Sequence, residues 1–89
     1  MIELDLKIIN QLGLHARPAA LIAQTAGNYK STIGLTKDGV RVDAKSIMGV
    51  MMLAAEHGSV LHLTAEGPDE QEAAQAIKTL FENKFNEEF

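Results

Sequence analysis

The chain has no cysteine and no tryptophan, and only two prolines, one tyrosine and three phenylalanines among its 89 residues. Without cysteine there is no disulfide framework and no thiol chemistry, which fits a reducing cytoplasm. So few aromatics leave little platform for stacking bases. The eight basic residues are scattered and the formal charge is −4, so nucleic acid is not an expected partner. No apolar run approaches the roughly 20 residues needed to span a bilayer. The opening Met-Ile-Glu-Leu-Asp-Leu-Lys mixes acids with its apolar residues, unlike a signal peptide. These absences predict a cytoplasmic protein without membrane insertion, folded as one small domain over residues 1–89.

What is present is patterned. Ile2, Leu4, Leu6 and Ile8 alternate with Glu3, Asp5 and Lys7, the period of a strand with one buried face. Ala19, Ile22, Ala23 and Ala26 recur at helical spacing, predicting a helix over about 16–26, which Gly27 should stop as a left-handed cap. Thr32–Thr36 and Val40–Val42 read as strands around the turn Lys37-Asp38-Gly39. Leu61, Leu63 and Ala65 mark a fourth strand, with His62 on its polar face. Asp69 and Glu72 resemble a capping box at the head of a last helix, whose stripe is Ala73, Ala76, Ile77, Leu80 and Phe81. Asn83–Phe89 should fray or lie along the surface, although Phe85 and Phe89 could dock. The order βαββαβα has no internal repeat and predicts an α+β domain with helices on one face of a sheet.

The most chemical stretch is Gly13-Leu14-His15-Ala16-Arg17-Pro18-Ala19-Ala20. Gly13 suits a tight turn, and Pro18 suits a first helical turn, where a missing amide costs nothing. His15 then stands just ahead of a helix, where unpaired amides and the positive end of the dipole favour an anion. Arg17 adds a permanent cation, and cationic surroundings disfavour protonating the imidazole, leaving it neutral and nucleophilic near pH 7. Nucleophile, charge clamp and amide cradle together suit phosphoryl transfer. The plainer alternative is a surface or capping histidine with a solvated arginine, which composition alone favours.

Ser46 reads as the N-cap of a helix over about 47–55. That helix is apolar nearly all round, with Ile47, Met48, Val50, Met51, Met52 and Leu53. A domain this small cannot bury every side. Val50 and Leu53 are expected inward and Met48 and Met51 outward, with Ile47 at the edge. Methionine suits a surface that accepts differently shaped partners. His57 and His62 invite a metal reading, but no cysteine or obvious carboxylate set joins them, so no metal is expected. There is no Gly-x-Ser-x-Gly elbow for a hydrolase either.

The run Gly13–Ala20 resembles the phosphorylation site of the HPr family, the histidine-containing phosphocarriers of the bacterial phosphoenolpyruvate-dependent phosphotransferase system. Ala44-Lys45-Ser46-Ile47-Met48-Gly49-Val50-Met51 resembles that family's regulatory serine segment. The two motifs are in register, and the resemblance covers essentially the whole chain. It implies an open-faced β-sandwich, a four-stranded antiparallel sheet with three helices on one face. It further implies a monomeric carrier, not itself an enzyme, that needs no cofactor. His15 would accept a phosphoryl group on its δ nitrogen from phospho-enzyme I and give it to an enzyme IIA-type domain; the residues alone leave the choice of ring nitrogen open.

In that scheme Arg17 would neutralise charge, the amides of Ala16 and Arg17 would hold the phosphate, and Ala20, Gln24, Ile47, Met48 and Met51 would form the docking face. Ser46 would be a regulatory phosphorylation site for an HPr kinase/phosphorylase. The second function class is a regulatory adaptor, acting through binding to a transcriptional regulator or enzyme. A plain anion-binding domain is the third. The chain carries features of both the sugar and the nitrogen-related branches of the family.

Overall fold

The computed structural model describes residues 1–88. Phe89, one of the two aromatics expected to dock at the chain end, lies outside them. Strand β1 (Ile2–Lys7) is followed by helix α1 (Ala16–Gly27), strands β2 (Thr32–Lys37) and β3 (Val40–Asp43), helix α2 (Ile47–Met52), strand β4 (Val60–Glu66) and helix α3 (Glu70–Glu82). A 3₁₀ turn over Lys84–Asn86 closes the chain. The strand order is β1-β4-β2-β3, with every neighbour antiparallel. β4 is thus inserted between β1 and β2, the two strands that α1 connects, which is the split βαβ arrangement. The three helices cover one face, giving the expected open-faced sandwich.

Period-two alternation sets the register. Leu4 pairs with Leu63 and Leu6 with Leu61 across β1 and β4, and Leu63 pairs in turn with Leu35 of β2. Their side chains share one face, where Leu6, Ile33, Leu35, Leu61, Leu63 and Ala65 are buried against Ala19, Ile22 and Ala26 of α1 and Ala73, Ile77 and Phe81 of α3. A slip of one residue would turn this whole set to water.

Three local expectations are corrected. Gly27 sits in the last turn of α1 with no positive φ, and Asn28 caps the helix in a right-handed conformation. The amides of Asn28 and Tyr29 close the end by bonding back to Thr25 and Ala26, so a left-handed glycine is not needed. α2 stops at Met52 rather than near Ala55, because Ala54 takes φ 48° and turns the chain away. Asp69 makes no side-chain cap to α3. Its carboxylate instead accepts from the amides of Lys30 and Ser31, each at 2.9 Å, and from the Ser31 hydroxyl. These bonds hold the Asp69 carboxyl below the usual range, with the Ser31 hydroxyl the leading cause. The reciprocal contact at this helix start belongs to Glu70, whose Oε1 accepts from the Gly67 amide at 3.2 Å.

At the chain end, the expected possibility that Phe85 docks is realised. Phe85 is fully buried and meets Phe81 edge-on, with ring centroids 4.9 Å apart. Lys84, Phe85 and Asn86 all take left-handed angles, φ 55°, 55° and 62°. Each costs about 1 kcal/mol, which the burial of Phe85, about 3 kcal/mol, and the edge contact, about 1 kcal/mol, offset.

On the open face, His62 of β4 lies between two carboxylates of β1, with Nδ1 2.8 Å from Asp5 and Nε2 3.0 Å from Glu3. The hydrogen bond to Asp5, then that to Glu3, raises the imidazole pKa above its usual 6.5. Folding therefore favours the protonated ring, a contribution complete below the unfolded-state value and lost as pH rises through the folded-state value. A His62→Gln variant is expected to lower the thermal midpoint relative to the wild type most at about pH 5 to 6. The difference should shrink toward pH 8 and in high salt, since the pair is exposed; thermal scans across that range check it.

Candidate functional site

The loop between β1 and α1 is pinned from three sides. The inward alternation of β1 continues past the strand through Ile8 to Asn10, which is completely buried. The Asn10 side-chain amide donates to the Gly13 carbonyl at 2.9 Å and to Oε1 of Glu87 at 2.8 Å. Gly13 has φ +70°, and a Cβ there would stand 2.6 Å from the Ala55 carbonyl oxygen and 2.8 Å from Glu56 Cα. Only glycine fits both the angle and the approach. The next amide, of Leu14, donates to the same Ala55 oxygen at 2.9 Å, and the Leu14 side chain is buried.

This anchoring puts His15 at the N-cap of α1 with extended backbone, φ −77° and ψ −172°. Its carbonyl accepts from Ala19 at 3.1 Å, but its side chain makes no capping bond and the first turn carries no acid. Pro18 has no amide to satisfy. Among the described residues the Ala16 and Arg17 amides have no backbone acceptor. The positive end of a 12-residue helix therefore faces solvent next to an imidazole, ready for an oxyanion. Arg17 is exposed and has no ion-pair partner among the described residues.

The His15 side chain is 36% exposed, and its Nε2 lies 2.6 Å from Oε2 of Glu87, whose own side chain is only 3% exposed. A carboxylate accepts when ionised, and in that state the donor of this bond is Nε2. In the neutral ring Nδ1 is then the nitrogen with a free lone pair. The charge touching the ring is thus an anion, whereas sequence reasoning anticipated only the cationic surroundings of Arg17.

Sequence reasoning missed both Asn10 and Glu87. Asn10 left a signal, a polar residue in the inward phase of an apolar alternation. Glu87 left none, because it reaches His15 from 72 positions away only once Phe85 has docked.

Ser46 caps α2, its Oγ accepting from the Gly49 amide at 3.0 Å. Of the residues expected to form a docking face, Gln24, Ile47, Met48 and Met51 are exposed and Ala20 is half-buried. Val50 and Leu53 face the core, as expected. Met52, not assigned a side beforehand, is 74% exposed beside Met48 at 77%. α1 and α2 pack against each other. His57 is exposed, and among the described residues no group of three or more His, Asp or Glu side chains is arranged to hold a metal ion. No helix among the described residues is long and apolar enough to cross a membrane.

Fold and site together define a small open-faced sandwich with a solvent-accessible histidine at an open helix start, a form suited to carrying a phosphoryl group. Residues 2–83 match the family model described as the PTS HPr component phosphorylation site. The chain belongs to the HPr family, the phosphocarriers of the phosphotransferase system. It is 54% identical to the phosphocarrier protein HPr of Treponema pallidum over 88 residues, 99% of this chain and 100% of that one. The HPr-like protein Crh of Halalkalibacterium halodurans is 46% identical over 84 residues, 94% of this chain and 100% of that one. The crystal structure of HPr from Thermoanaerobacter tengcongensis superposes with a TM-score of 0.96 at 52% identity, covering both chains fully.

Replacing Gly13 by alanine forces a methyl group against the Ala55 carbonyl at a left-handed φ. A loss of about 2 kcal/mol or more is expected, read by denaturant unfolding.

Proposed function

We propose that His15 is the residue phosphorylated, through Nδ1, by phospho-enzyme I, and that it then gives the phosphoryl group to an enzyme IIA-type domain. In uptake the nitrogen–phosphorus bond of the donor breaks as a bond from His15 Nδ1 to phosphorus forms; release reverses the roles. The observation that carries this reading is a half-exposed imidazole, paired through Nε2 and with no hydrogen bond at Nδ1 among the described residues, at a helix start whose first amides lack partners. The Ala16 and Arg17 amides hold phosphoryl oxygens, and the Arg17 guanidinium screens their charge in both transfers. Catalysis of this kind is mostly positioning and electrostatics. The chain is therefore a substrate of two enzymes in succession and not a catalyst with turnover of its own. Its place of action is the cytoplasm, in keeping with a chain that has no cysteine.

Ala20, Gln24, Ile47, Met48 and Met51 form the face that meets these partners. Most of it is apolar, exposed and flexible in shape, which suits two partners that must dock in turn over the same histidine. Ser46 is a second, regulatory site. A phosphate there is electrostatically favoured at the start of α2 and places a dianion at the edge of the apolar face, altering docking without unfolding the helix. The 54% identity to the phosphocarrier protein HPr of Treponema pallidum, against 46% to the HPr-like protein Crh, supports the carrier role over a purely regulatory one.

Incubation with phosphoenolpyruvate and enzyme I should add one phosphate, seen by intact mass. The modification should be lost in acid and kept in alkali, and His15→Ala should abolish it. Phosphate gained by the alanine variant, or stable in acid, would overturn the assignment. Met48→Asp should raise the KM for enzyme I severalfold with little change in kcat. Because Met48 is 77% exposed, its stability should stay within about 0.5 kcal/mol of the wild type.

A further inference from the structure

We infer that Glu87 is a positioning residue of the phosphoryl-transfer site, one that fixes the His15 proton on Nε2 and balances the positive charge the ring gains when Nδ1 takes up phosphorus. This rests on the carrier reading above. Three observations carry it. The Glu87 carboxylate is nearly fully buried, yet it accepts from His15 Nε2 at 2.6 Å and from Asn10 Nδ2 at 2.8 Å. Asn10 is itself buried, and its amide also holds the Gly13 carbonyl, so one side chain ties the carboxylate to the loop that places the ring.

The chain reaches this position only by running through three left-handed residues with Phe85 locked beneath Phe81.

The chemistry follows from the geometry. As Nδ1 donates its lone pair to phosphorus, the ring becomes cationic while its Nε2 proton stays in place. The buried carboxylate 2.6 Å from Nε2 stabilises that cation more than the neutral ring, as a carboxylate does for an imidazolium in a catalytic triad. It leaves the phosphoryl side of the ring to the Ala16 and Arg17 amides and to the Arg17 guanidinium. The site therefore has an anion on one edge of the imidazole and an anion-binding surface on the other.

The test compares wild type with Glu87→Gln, which keeps the size of the side chain and removes its charge. Nitrogen-15 NMR of the imidazole should show wild-type His15 protonated at Nε2 in the neutral ring, and should show a mixture of tautomers in the variant. The rate of phosphorylation by phosphoenolpyruvate and enzyme I should fall on the order of tenfold, the scale on which supporting groups of this kind act. The amide NMR fingerprint should otherwise remain that of the folded chain. A wild-type ring protonated at Nδ1, or a variant with unchanged tautomer and unchanged rate, would overturn the role of Glu87. If the wild type takes up no phosphate at all, the carrier assignment of His15 fails, and the tautomer spectra still decide whether Glu87 fixes the ring.

Discussion

The whole site depends on a contact between two stretches of backbone. Gly13 comes so close to the Ala55 carbonyl that a methyl group would overlap it, and the following amide bonds to that same oxygen. This contact joins the loop ahead of α1 to the loop behind α2. It fixes where α1 begins, hence where its unpaired amides point and where His15 stands. The residue before His15 is buried, the residue after it is helical, and one ring nitrogen is hydrogen-bonded, so the other is oriented without being enclosed.

That combination matters for a carrier. A phosphoryl group received from one protein and given to another must be reachable from outside, which rules out the enclosed, water-free pocket that most transfer enzymes use. Asn10 and Glu87 lie shielded beside the ring instead, one buried and the other nearly so. The apolar side chains of α2 lie exposed, where an incoming partner can itself exclude water.

The elements and their order were legible from periodicity, whereas the strand order β1-β4-β2-β3 was not. Ile2 to Ile8 and Leu61 to Ala65 have a strict period of two, and Ala19 to Ala26 a helical one, because one face of each element meets the core. The local helix ends were less legible. Asp69 looked like a cap but binds the strand-entry amides of Lys30 and Ser31, partnerships across 39 and 38 residues that no local pattern encodes. The same limit applies at the site. His15, Arg17 and Pro18 are adjacent in sequence and were read together as a helix start. The carboxylate on the far side of the ring arrives from the last residues of the chain, through a docked phenylalanine and a left-handed turn that looked like a fraying end.

The length of α2 has one more consequence. With only six residues, it turns its buried side inward through Val50 and leaves Met48 and Met52 about three-quarters exposed. Thioethers in water are open to oxidation, and a sulfoxide is polar and chiral where the thioether was apolar and pliable. A chain with no cysteine thus keeps a sensitivity to oxidants after all, and it lies on the surface where partners are proposed to meet it, outside the hydrophobic core.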